Sequence, residues 1–169
     1  MRDALNAKGI QMVNIVATGI SEDLLQVLES QGLPVKRSLD IEIKPFPADI
    51  TGVDDQELME MARSYMENYN FLLTQVACAE SAVTEVENYY KQEEAKLLIQ
   101  KSSDPKIKAT TIKAMILTDP DMQKLSADRM HAEAYHKLLK TTMDNLERYY
   151  QLTSRELTRR TSVLKARGY

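Results

Sequence analysis

Glycine and proline are nearly missing from two thirds of this 169-residue chain. Only five of each occur, and between residues 53 and 167 there is no glycine and no proline other than Pro105 and Pro120. So long a stretch without breakers predicts an all-α fold. Cysteine is as scarce: Cys78 is the only one, which excludes an intramolecular disulfide and leaves a small apolar residue inside a helical pattern. No apolar run approaches the ~20 residues that span a bilayer. The first twenty residues are apolar near Met12–Val16, but they lack a basic start followed by a long apolar core, so they do not read as a signal peptide. Together these absences point to the cytoplasm, with no membrane.

What the chain does contain divides it in two. Residues 1–50 form an N-terminal arm or small subdomain, and residues 51–169 form a helical hairpin domain. In the arm, SEDLLQVLESQG predicts a short helix over 21–31, with Ser21 as its cap and Gly32 just past its end. Leu39, Ile41 and Ile43 alternate with Asp40, Glu42 and Lys44, the period of a strand over 38–44. Prolines at 34, 45 and 47 restrict it to an edge strand or an extended arm, lying along helices or paired with a copy of itself.

A long helix is expected from about Asp54 to Lys101, with Thr51, Asp54 and Asp55 as capping candidates. Leu58, Met61, Tyr65, Tyr69, Leu72, Val76, Ala79, Val83, Val86 and Tyr90 recur at alternating steps of three and four, a heptad-like seam. At 1.5 Å per residue the rod is roughly 70 Å long. Ser103 or Asp104, followed by Pro105, predicts a cap for a short elbow helix, KIKATTIKAMIL. Asp119-Pro120 repeats the device before a last helix that runs almost to Gly168. Two long amphipathic helices joined by an elbow fold back as an antiparallel hairpin. So thin a hairpin leaves Tyr89, Tyr149 and several methionines for other chains, so a homo-oligomer is expected.

Catalytic patterns are wanting. His131 and His136 are five apart, about 140° around a helix, and so form no i, i+4 metal pair. A single Glu133-x-x-His136 match is half of the di-iron pattern, which needs two. No HExxH, glycine-rich phosphate loop or Ser-His-Asp set occurs. The sequence predicts neither an enzyme, nor a metal site, nor a cofactor.

Charge is more informative. The net of −3 splits into −9 over residues 1–90 and +6 over residues 91–169. An acidic protein with a segregated basic half can still present an anion-binding surface. The candidate nucleic-acid-binding residues are Lys91, Lys96, Lys101, Lys106, Lys108, Lys113, Arg155, Arg159 and Arg160. Arg148, Arg155 and Arg159 share one helical face at spacings of seven and four. The same cations also serve as a solvated face or as favourable charges at helix C-termini. Tyr89, Tyr90, Tyr149 and Tyr150 are stacking candidates and, equally, core and interface residues.

The stretch IKAMILTDPDMQKL, from Ile112 to Leu125, carries Lys113 and Lys124 on either side of its turn, and a long helix with Tyr135, Leu138, Leu139 and Leu146 follows. Upstream lies NFLLTQVACAESAVTEVENYYKQEEAK, and downstream SRELTRR. Over roughly residues 65–160 this resembles the phage recombination mediators of the UvsY type. That resemblance implies a ring-like homo-oligomer that binds single-stranded DNA. It implies that the protein helps a RecA-like recombinase displace a single-strand-binding protein in phage-infected bacteria. It also implies a DNA-binding role for Lys91, Lys96 and Lys101, at the end of the first long helix. Glu93 and Glu94 interrupt that lysine run, which moves weight to Lys106, Lys108 and Lys113. The alternative is a helical structural or adaptor protein of a virion or complex, without nucleic-acid binding.

Overall fold

The computed structural model describes residues 13–14, 20–32, 35, 38–39, 43–103 and 107–166. In chain order these give β1 (Val13–Asn14), α1 (Ile20–Ser30), β2 (Ser38–Leu39), a 3₁₀ turn (Ile50–Gly52), α2 (Asp55–Ser102), α3 (Ala109–Leu117) and α4 (Pro120–Ala166). The molecule is all-helical apart from the two-residue strands, and its frame is the long pair α2 and α4. They run antiparallel: Tyr149 lies against Tyr65, and Arg129 sits over the Tyr90 ring at 5.0 Å. Among the described residues, no helix is long and apolar enough to cross a membrane.

Local chemistry sets the helix ends. Asp54 Oδ1 accepts from Glu57 N at 2.8 Å and starts α2, satisfying one of the first-turn donors. At the elbow, Thr118 Oγ1 donates to Ala114 O, then Asp119 Oδ1 accepts from Asp121 N and Met122 N. One helix thus stops and the next starts within two residues. Gly32 follows α1 with φ 76°, the left-handed conformation that closes a helix end.

Several expectations shift. The α1 helix begins at Ile20, so Ser21 lies inside its first turn and does not precede it. The strand over 38–44 shrinks to Ser38–Leu39. It pairs antiparallel with Val13–Asn14 of the same chain, and it also lies against α2. Residues 43–47 form no regular secondary structure, and 40–42 lie outside the described residues. The elbow helix begins at Ala109 and not at Lys106. Ser103 instead ends α2, with its hydroxyl donating to Ile99 O. Asp104, Pro105 and Lys106 lie outside the described residues, as do Arg167 and Gly168.

Burial is concentrated at two places. Near the N-terminus of α2, Met61, Tyr65 and Leu146 form a core flanked by Phe46, Val53, Tyr69, Leu72, Tyr149 and Tyr150. At the elbow, Ile112, Ile116 and Met122 form a second core with Tyr90, Leu97, Ile107 and Leu125. Between them no residue of α2 past Ala79 is buried, and none of α4 between Met122 and Leu146. The predicted seam is therefore closed at Leu58, Met61, Tyr65 and Ala79 and stays half-open at Val83, Val86 and Tyr90. A neighbouring stripe of Ser64, Asn68, Phe71, Gln75 and Cys78 is also buried, and Cys78 at its end lines a cavity between α1 and α2. Cys78 is a small buried residue and forms no disulfide.

Candidate nucleic-acid interface

The structure sorts the basic residues into two sets at opposite ends of the rod. Lys91, Lys96 and Lys101 occupy the last turns of α2, with Lys108 and Lys113 in the elbow. Arg155, Arg159 and Arg160 lie on the last turns of α4, beside the start of α2. The whole of α2 is about 70 Å long, and roughly 50 Å of it separates Lys91 from the Arg160 end, so one protomer does not gather all of them into one patch.

Within the elbow set, spacings of five turn Lys96 about 140° away from both Lys91 and Lys101, so the three do not share one face of α2. Lys91 Nζ pairs with Glu87 at 2.7 Å and Lys96 Nζ with Glu93 at 2.6 Å. The Glu93 hydrogen bond holds the Lys96 ammonium above its ordinary pKa. Both pairs are solvent-exposed and therefore weak. Lys101 is half-exposed in the final turn, where it favours the helix dipole. Lys108 and Lys113 are exposed. Lys106 is outside the described residues.

The α4 set divides again. Arg148, Arg155 and Arg159 lie in one line on the face of α4 turned away from α2, and all three are exposed. Arg148 and Arg155 have no ion-pair partner among the described residues. Arg159 donates through Nε and Nη2 to both oxygens of Glu156, at 2.8 and 2.7 Å.

Arg160 behaves differently, and sequence reasoning missed its role. Its Nε donates to Glu156 Oε1 at 2.8 Å, and its Nη1 to Val53 O and Asp55 Oδ1, both at 2.7 Å. Its Nη2 donates to Thr51 O at 2.9 Å and to Ile50 O at 3.3 Å. The fork closes on the carbonyls of the 3₁₀ turn, and its side chain is 19% exposed. A phosphate could reach it only by breaking this clasp, which takes Arg160 out of the interface. Glu156, 7% exposed, sits between the two guanidiniums, and they hold its carboxyl down at about 2, Arg159 first and Arg160 second. A polar residue one position off the arginine face was the only sequence signal for this, and helical periodicity gives it no weight.

The segment 43–53 straps this end of the hairpin. Phe46 stacks on Tyr149 at 4.7 Å and meets Tyr65 at 6.4 Å. Lys44 Nζ pairs with Glu60 at 2.9 Å. Asp49 Oδ1 accepts from Thr51 N and Oγ1, which lowers the Asp49 pKa. Tyr149, Tyr150 and Tyr90 are thus half-buried against the two cores; of the stacking candidates only Tyr89 is exposed. Among the described residues no three His, Cys, Asp or Glu side chains are gathered for a metal ion.

These features define a class, an all-α helical hairpin strapped at one end, with an exposed line of arginines on its outer helix. No family model matches the chain, and neither a curated protein nor a solved structure matches it.

Proposed function

We propose that this protein is a non-enzymatic, homo-oligomeric binder of single-stranded DNA that tracks phosphates along the outer face of α4. The supporting observation is the exposed line Arg148, Arg155 and Arg159, which stands opposite the packed seam; Arg148 and Arg155 are clear of the clasp made by Arg160, while Arg159 shares Glu156 with it. Each protomer offers few contacts, and an oligomer multiplies them on one strand. The resemblance to recombination mediators extends this reading. The oligomer would present the strand to a RecA-like recombinase while a single-strand-binding protein is displaced, in the cytoplasm of a phage-infected bacterium. The acidic N-terminal half stays off the DNA.

Fluorescence anisotropy of a labelled oligo-dT, read across a salt series, tests this. Binding weakens steeply with salt, and Arg148→Ala with Arg155→Ala flattens the slope by roughly 0.7 per lost phosphate contact. Arg160→Lys leaves the slope unchanged. Absence of binding at about 50 mM salt and micromolar protein defeats the reading. A structural or adaptor role without nucleic acid then takes its place. That second reading is favoured by Ile99, Leu117, Met130 and Leu138, large apolar side chains that α2, α3 and α4 leave in solvent.

A further inference from the structure

The arginines on the outer face of α4 have an apolar neighbour. Leu152 lies four residues after Arg148 and three before Arg155, so it projects from their face and stands between them. Its side chain is 45% exposed. Followed back at steps of three and four, the same face carries Asn145, Thr141 and Leu138, all exposed. Leu138 is 68% exposed, and Tyr135, three residues before it, is also in solvent. From Leu138 to Arg159 this line holds three arginines and no acid. The nearest carboxylates stand off it: Asp144 is half-buried on the flank, Glu147 accepts from Gln151, and Glu156 is buried between Arg159 and Arg160.

A face built to take a partner helix repeats its apolar residues every three or four positions. Here they are isolated. Leu138 and Leu152 are fourteen residues apart, about 21 Å along the axis, and Thr141, Asn145 and Arg148 fill the interval. Cations alternating with single apolar contacts suit a polyanion that carries a flat apolar group at each repeat. A nucleic-acid strand with unpaired bases has that chemistry. In a duplex the base faces are stacked against one another and Leu152 could not reach them.

We propose that α4 contacts unpaired bases as well as phosphates. Leu152 takes the face of one base while Arg148 and Arg155 hold phosphates on either side of it, and Tyr135 with Leu138 takes a second base further along the helix. Arg148 and Arg155 are about 10 Å apart along the axis, which leaves a base room between them. Such contacts carry no sequence preference, because every base presents a face. What they select is a strand whose bases are free. This rests on the phosphate-tracking role proposed for α4 above and adds Leu152, Leu138 and Tyr135 to it as the residues that set the kind of strand bound.

Two labelled strands of equal length test it: oligo-dT and its abasic counterpart, which carry the same phosphates and differ only in the bases. In anisotropy across a salt series the full chain binds oligo-dT about tenfold more tightly than the abasic strand, with similar salt slopes for the two. Leu152→Ala lowers the oligo-dT affinity roughly fivefold, and Tyr135→Ala does the same; Leu152→Phe, which supplies a ring, keeps or raises it. Circular dichroism checks that each variant stays helical, and the exposed position of Leu152 leaves the two cores untouched. Arg148→Ala with Arg155→Ala weakens both strands. Equal binding of the two strands by the wild type, with a steep salt slope, overturns the base contact and leaves the phosphate role standing. So does oligo-dT binding that neither Leu152→Ala nor Tyr135→Ala lowers. If neither strand binds, both readings fall, and capture of a glutamate-rich helical peptide that is lost with Leu152→Ala gives this face to a protein instead.

Discussion

At its strapped end the hairpin has three layers: α2, α4 and the segment 43–53, whose Phe46 lies on Tyr149 while Arg160 grips the turn at Ile50–Val53. Past Ala79 and short of the elbow the cover thins, and no α2 side chain is buried there. The amphipathic pattern is similar in both regions. The difference is a third element, because two helices in contact shield only the line between them, and a flanking segment is needed to remove the next stripe from water. The elbow repeats the lesson in miniature, with α3 supplying Ile112 and Ile116 as the cover over Met122.

The sharpest way to break this contrast is to truncate one large residue in each region. Tyr65→Ala, at a fully buried ring, costs about 3–5 kcal/mol in chemical denaturation. Leu139→Ala, half-buried along the middle of α4, costs about 1 kcal/mol. Equal losses would mean the middle is as well covered as the end. Next in size, Arg160→Ala takes the guanidinium donor from Asp55 and from the Ile50, Thr51 and Val53 carbonyls, and lowers the melting temperature by several degrees. Hydrogen exchange then rises at residues 50–57 before it rises at the elbow. The caps come third: Asp54→Ala and Asp119→Ala each cost about 1 kcal/mol, since a cap acts locally whichever end it serves. A further test concerns acid. Glu156 is depressed from 4.5 to about 2, so its contribution is complete above pH 4.5 and is lost as pH falls toward 2. Glu156→Gln flattens the stability curve in that window; an unchanged curve would remove the carboxylate from the clasp.

The helices were legible because their signals are local. Asp54 as cap, Asp119-Pro120 as restart and Gly32 as stop each act within one turn. Long-range partners were not legible. Phe46 sits in a proline-flanked extended stretch with no period, and nothing nearby indicates that its ring crosses to Tyr149. Arg160 looked like one more cation in a basic tail, and only the fold shows that its donors are engaged while those of Arg148 and Arg155 are not. Likewise the seam marked the face of α2 that meets α4, and it missed Asn68, Gln75 and Phe71, which are buried on the neighbouring stripe. Spacing places residues on a helix face; it does not say how many faces are occupied.

Arg160 meets positions 105 to 110 residues earlier in the chain. A ribosome making this protein would finish α2 well before the residue that ties the strap has been added. Until then Tyr65 and Met61 have neither α4 nor a fastened strap above them. Closure of the open end is thus a late event, set by how soon the last turns of α4 emerge and swing back. A chain stopped short of residue 160 would still carry most of its helices, but would have nothing to fasten them at that end.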